Sequence, residues 1–142
     1  MKSILLILLL SLIVYSSSTD GNIIAACAAN QIGKKYKTGG LGPEQFDDFG
    51  LVYFCMKQAN LPCWIDRQSQ ATYGKKIAYA DLAPGDVLYT YDKWYNLIGA
   101  IIYIGNSKVV YTTSYLNKGV IVNNLNNLNM ENHYDYRRNW WL

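Results

Sequence analysis

The chain is predicted to fold as a single α+β domain, with N-terminal helices packed on an antiparallel β-sheet of about five strands. Three observations carry this expectation. Two stretches with apolar residues at helical spacing come first, around "NIIAACAANQI" and "LVYFCMKQA". After "APGD" the period drops to two, and short apolar runs alternate with turn residues to the end of the chain. Helical and strand patterns are segregated rather than alternating, which favours α+β over a parallel sheet. At 142 residues there is room for one core and not for two.

Residues 1–18 stand apart from that core. "MKSILLILLLSLIVYSSS" carries one Lys, an apolar run from Ile4 to Tyr15 and then small residues, the layout of a secretory signal peptide with cleavage expected near Ser18. The run is short for a bilayer span, which takes about 20 residues. The mature domain is therefore read as 19–142, exported, with no membrane association after cleavage.

Within it, Asp20 is placed to cap the first helix and Gly33 to end it. A Gly-rich loop follows from Lys34 to Gln45, then a second helix from Asp47 or Asp48 to Ala59, stopped ahead of Pro62. "WIDRQSQATYGKK" reads as a short helical turn and loop. Beyond the "APGD" turn, "DVLYTYD" alternates as a strand and "LIGAIIYIG" reads as a fully buried one. "NSK" turns into "VVYTTS", "GVIVNNL" is a further strand, and "HYDYRRNWWL" closes the sheet after an Asn-rich loop.

Composition narrows the function. Removing the leader takes away Lys2 alone, so the net charge falls from +3 to +2 (12 minus 10). The basic residues are scattered in pairs, which argues against nucleic acid. Thirteen Tyr and four Trp suit a cleft or partner surface. Cys27, Cys55 and Cys63 are an odd number for an oxidising compartment. Cys55 with Cys63 is the first choice for a bridge, and Cys27 with either is the alternative. No Asn-x-Ser/Thr acceptor is present.

The order helix, Gly-rich loop, helix and meandering sheet is that of papain-like cysteine hydrolases, and the motifs make the resemblance specific. The chain resembles the NlpC-type cell-wall peptidases, secreted cysteine enzymes that cut the peptide stems of peptidoglycan. Their Tyr-x-x-Gly-Gly is matched by Tyr36, Gly39 and Gly40. Their Phe-Asp-Cys-Ser-Gly-Leu is matched by Phe46, Asp47, Asp48, Phe49, Gly50 and Leu51. Leu61-Pro62, Gln70 to Lys75, and the run Asp81, Leu82, Pro84, Gly85, Asp86 follow in order. Last, His-Val-Gly-Ile-Tyr-Ile-Gly stands opposite Gly99 to Gly105.

The departures fall on the chemistry. A cysteine hydrolase needs a thiolate at a helix N-terminus, an imidazole to take its proton and a polar group to orient that imidazole. Those three positions hold Asp48, Gly99 and Tyr111, and Phe49 replaces the serine. The resemblance thus implies a catalytically degenerate member, not an enzyme. It would bind peptidoglycan fragments or another peptide in the old groove, with another protein as a further candidate partner. Tyr36, Gly39, Gly40, Asp47, Asp48 and Trp64 are the candidate ligand contacts, and Asp48 would attract a cationic group such as an amine. Tyr73, Trp94 and Tyr95 border the same groove, and at least half of these aromatics are expected in the core.

Alternatives stay open. A rebuilt hydrolase could use Cys63 and His133, although nothing in the spacing joins them. Phe49 and Tyr111 could instead fill the pocket and leave a structural or interaction protein. Asp47 and Asp48 are both expected to remain ionised, one of them as helix cap. Neither a metal nor a cofactor is expected, since His133, Asp47, Asp48 and Asp86 lack ligand spacing.

Overall fold

The computed structural model describes residues 19–140. The expected signal peptide lies outside the described residues. Helix α1 runs Asp20–Asn30 and buries Gly21, Ile24, Ala25, Cys27 and Ala28, one stripe at helical spacing. Its cap is Thr19 rather than Asp20: the Thr19 hydroxyl accepts from the Asn22 N–H at 3.3 Å, and Asp20 is the first helical residue, where its carboxylate faces the positive end of the dipole. Helix α2, Asp48–Gln58, is capped by Asp47 and stops at Ala59. A third helix, α3, spans Arg67–Thr72 and is capped by Asp66.

Two short strands, β1 (Lys35–Tyr36) and β2 (Gln45–Phe46), pair in parallel around the Gly-rich loop. The main sheet has six strands: β3 (Lys75–Lys76), β4 (Val87–Tyr91), β5 (Leu97–Gly105), β6 (Lys108–Thr113), β7 (Gly119–Asn124) and β8 (His133–Arg138). Their order is β3-β8-β4-β5-β6-β7, every neighbouring pair antiparallel. The predicted closing strand is therefore interior, inserted between β4 and the two-residue β3 that the sequence pattern left in a loop. Strand β5 is buried only from Gly99 to Ile102, and Ile98 is exposed, so the expectation of a fully buried strand holds for its centre alone.

Side chains alternate across the sheet. Val87, Tyr89, Ala100 and Ile102 face α1 and α2 and join Ile24, Phe46, Leu51, Val52 and Met56 in the main core. Leu88, Ile101 and Val109 face the other way, under Leu125, Leu128 and a layer of tyrosines. Asp86, fully buried, takes a two-pronged contact from Arg138 at 2.9 Å per arm and ties the "APGD" turn to β8.

The disulfide is Cys27–Cys55, with Cα atoms 5.6 Å apart. This corrects the first choice, Cys55 with Cys63. The apolar faces of α1 and α2 pack together and bring Cys27 and Cys55 side by side in the core, whereas Cys63 lies past the end of α2 as a free thiol. Among the described residues no helix is long and apolar enough to cross a membrane.

Candidate functional site at the mouth of helix α2

The Gly-rich loop and the start of α2 are built as one piece. Asp47 is buried, and its carboxylate accepts the N–H groups of Gly50 and Gly39, the latter at 3.0 Å. The Asp47 N–H in turn donates to the Gly40 carbonyl at 2.9 Å. Gly50 has to be glycine here, because a Cβ would run into that same carbonyl. Asp47 and Gly40, two of the candidate ligand contacts, thus hold the loop in place. Tyr36 is half-buried and lines a cleft of about 290 Å³ with Lys35 and Asn117. Gly39 lies in a separate hollow of about 250 Å³ formed by the loop itself.

Asp48 is the next residue, and it faces β5. A Cβ built on Gly99 would stand 3.1 Å from Asp48 Oδ2 and 3.8 Å from the Thr90 hydroxyl. Thr90 is the cross-strand partner of Gly99 on β4. The fold therefore still aims position 48 at position 99, with a carboxylate on one side and bare backbone on the other. Burial pushes the Asp48 carboxyl up to about 6, with the Asp47 charge adding to it; backbone hydrogen bonds at Asp48 and Phe49 and the nearby Arg67 act in the opposite sense. Desolvation thus outweighs the helix terminus at Asp48, yet a carboxyl near 6 is still largely ionised at neutral pH.

Beneath it, Phe49 is buried, with its ring near-parallel to Tyr89 at 6.4 Å and the Arg67 guanidinium 4.7 Å from its ring centre. Tyr111 does not join it. The Tyr111 ring packs in the outer cluster, where its hydroxyl accepts from Asn123 Nδ2 at 3.1 Å, so the two do not fill one pocket. A residue whose role the sequence did not show is Gln70. Fully buried, it donates to the carbonyls of Phe49 (3.1 Å) and Trp64 (3.0 Å), while its Oε1 accepts from the Tyr89 hydroxyl (3.2 Å). That fixes the Trp64 segment against the first turn of α2. Thr90 was likewise missed, for lack of any motif that marks it.

The aromatic rim is more open than expected. Trp64 is half-exposed and lies against Tyr73 at 4.3 Å, and Trp94 and Tyr95 stand out from the β4–β5 hairpin. None of the four is core, because all lie on loops beyond the reach of the two apolar clusters. Cys63 and His133 are not a pair: Cys63 points at the Trp64 carbonyl, and His133 stacks on Tyr95 at 4.3 Å. Burial pushes the Cys63 thiol up to about 11, away from the thiolate a nucleophile needs. Among the described residues no three His, Cys, Asp or Glu side chains are grouped to hold a metal.

Known proteins share this architecture. The NlpC/P60 family model matches residues 33–139. A probable endopeptidase from Mycobacterium tuberculosis is 35% identical over 96 residues, 68% of this chain and 24% of the relative. A gamma-DL-glutamyl hydrolase from Bacillus subtilis is 40% identical over 95 residues, 64% of this chain and 21% of the relative. The chain thus spans about a quarter of the length of these relatives. NlpC2 from Trichomonas vaginalis superposes with a TM-score of 0.80 at 21% identity, covering 89% of this chain and 49% of that one. RipD from Mycobacterium tuberculosis, described as a non-catalytic NlpC/p60 domain adapted to peptidoglycan binding, superposes with a TM-score of 0.68 at 16% identity, covering 85% and 98%.

These relatives correct the expectation that the chain is not an enzyme. The sequence relatives are named as endopeptidases and a hydrolase, and the changes at positions 48, 99 and 111 do not in themselves place the chain outside such a group. The matched motifs, the antiparallel sheet behind α2 and the family model agree: the chain belongs to the NlpC/P60 family.

Proposed function

We propose that the chain is an exported NlpC/P60 domain that engages peptides of the peptidoglycan stem type in the groove at the mouth of α2. The observation that carries this reading is the half-buried Asp48 carboxylate at the mouth of α2, aimed at Gly99, in the same Gly-rich loop and helix start that carry the Tyr36 cleft. Export is supported by the leader pattern of residues 1–18, and the ligand class by relatives whose names tie them to peptide cleavage or peptidoglycan binding.

The binding work falls to this chain's own residues. In this reading the Gly-rich loop lets a peptide backbone approach closely, Tyr36 and the half-exposed Trp64 offer ring faces, and Asp48 supplies the charge. Calorimetric titration of the mature domain with a muropeptide bearing a free amine tests it. Saturable binding that weakens about tenfold or more in Asp48→Ala is expected, the scale of a hydrogen bond to a charged group. Absence of heat with every muropeptide tried would contradict the reading. Chromatography of the same mixtures reads out whether the bound peptide is cut.

A further inference from the structure

The outer face of the sheet carries a hollow that the peptide reading does not use. It holds about 390 Å³, within the roughly 300–1,000 Å³ of small-ligand sites. Buried Leu88 of β4 and Leu128 give it an apolar base. Tyr79 and Tyr136 line it as well; Tyr79 is 54% exposed and meets Tyr136 edge to face with ring centres 5.8 Å apart. The Asn-rich loop supplies the rest of the lining, and its course is fixed by hydrogen bonds. The Leu125 N–H donates to the Ser107 carbonyl at 2.8 Å, and the Tyr134 hydroxyl to the Asn129 carbonyl at 2.9 Å. The Glu131 N–H donates to Asn129 Oδ1 at 2.9 Å, which turns that amide back into its own loop.

Three polar groups of this lining are left over. The hydroxyls of Tyr79 and Tyr136 and the side-chain amide of Asn126 make no hydrogen bond among the described residues. No Asp, Glu, Lys or Arg stands in the lining. We propose that the hollow binds a neutral saccharide, with the C–H face of a pyranose ring laid on Tyr79 and its hydroxyls bonded to Asn126 and the two tyrosine hydroxyls. The proposal goes beyond the peptide reading and uses the opposite face of the sheet. A pyranose presents a row of C–H bonds, whose positive hydrogens suit the negative face of an aromatic ring. An amide offers a donor and an acceptor together, as neighbouring sugar hydroxyls do. Other occupants fit less well. An acyl chain would strip water from the three free polar groups and give them no partner. An anionic headgroup would meet no cation. A peptide has no strand edge to extend here, because β8 is paired on both sides.

Amide NMR of the labelled mature domain, titrated with chitotriose and separately with maltotriose, tests the proposal. The first sugar carries acetamido groups and the second only hydroxyls, so the pair shows which class the site takes. Saturable shifts at Tyr79, residues 125–132 and Tyr136 with at least one sugar are the expected result, and raising the salt concentration should leave the affinity unchanged. Tyr79→Ala should weaken binding about tenfold and Asn126→Ala about threefold, whereas Tyr79→Phe, which keeps the ring, should retain most of it. Both side chains are exposed and carry no hydrogen bond of the fold, so the melting temperature should barely move and lost affinity would not be lost structure. No shift with either sugar up to about 10 mM would overturn the proposal. So would sugar-induced shifts at Tyr36, Gly39 and Asp48 in place of the hollow. A sugar-free stem peptide that shifts the hollow when neither sugar does would overturn both this site and the placement of peptide at the mouth of α2.

Discussion

Asp48 carries its charge in a place where charge is costly. Its folded-state carboxyl sits at about 6, above the ordinary 3.8, chiefly because burial takes it out of water. The sign of the consequence follows from linkage. Below about pH 4 both folded and unfolded forms are protonated and there is no penalty. Between about 4 and 6 the unfolded chain ionises first, so stability falls, and above about 6 the loss is constant at up to about 3 kcal/mol. Asp48→Asn should therefore be more stable than wild type near neutral pH, and the gap should close as the pH falls toward 4. Urea unfolding at several pH values measures it; a gap that does not change with pH would rule out this account. The sequence shows that a carboxylate stands where a thiol is expected, but burial is a property of the neighbours, and nothing in "FDDFG" reports it. Tyr111 teaches the same point: twelve residues after Gly99 puts it on β6, and the alternation of the strand then turns its ring to the outer face.

Helices and hairpins were readable because their signals are local. The apolar stripe of α1, the Asp47 cap of α2 and the "NSK" turn between β5 and β6 each lie within a few residues of what they specify. Pairings between distant elements were not. Strand β3 is two lysines, visible only once β8 lies beside them, and Cys27 meets Cys55 because two helix faces pack. That bridge closes a loop of 28 residues, which on loop-closure entropy is worth about 3–4 kcal/mol. Non-reducing peptide mapping should recover Cys27 joined to Cys55 and Cys63 free. Replacing Cys27 and Cys55 together by Ala should lower stability by about that amount, whereas Cys63→Ser should leave the map unchanged. A Cys55–Cys63 fragment would contradict the helix packing.

At the scale of the whole molecule, two faces of one sheet do different work. The inner face buries the core against α1 and α2 and presents the mouth of α2 at its end; the outer face is covered by tyrosines and the Asn-rich loop, where a separate hollow of about 390 Å³ lies between Tyr79, Leu128 and Tyr136. The claim that peptide binds at the first place and not the second is the one on which the rest depends. Amide NMR of the labelled mature domain, titrated with an amine-bearing, sugar-free stem peptide, decides between them. Shifts concentrated on Tyr36, Gly39, Asp48, Phe49 and Gly99 are the predicted result. Shifts confined to Leu125–Met130 and Tyr134–Tyr136, or none at saturating ligand, would contradict it.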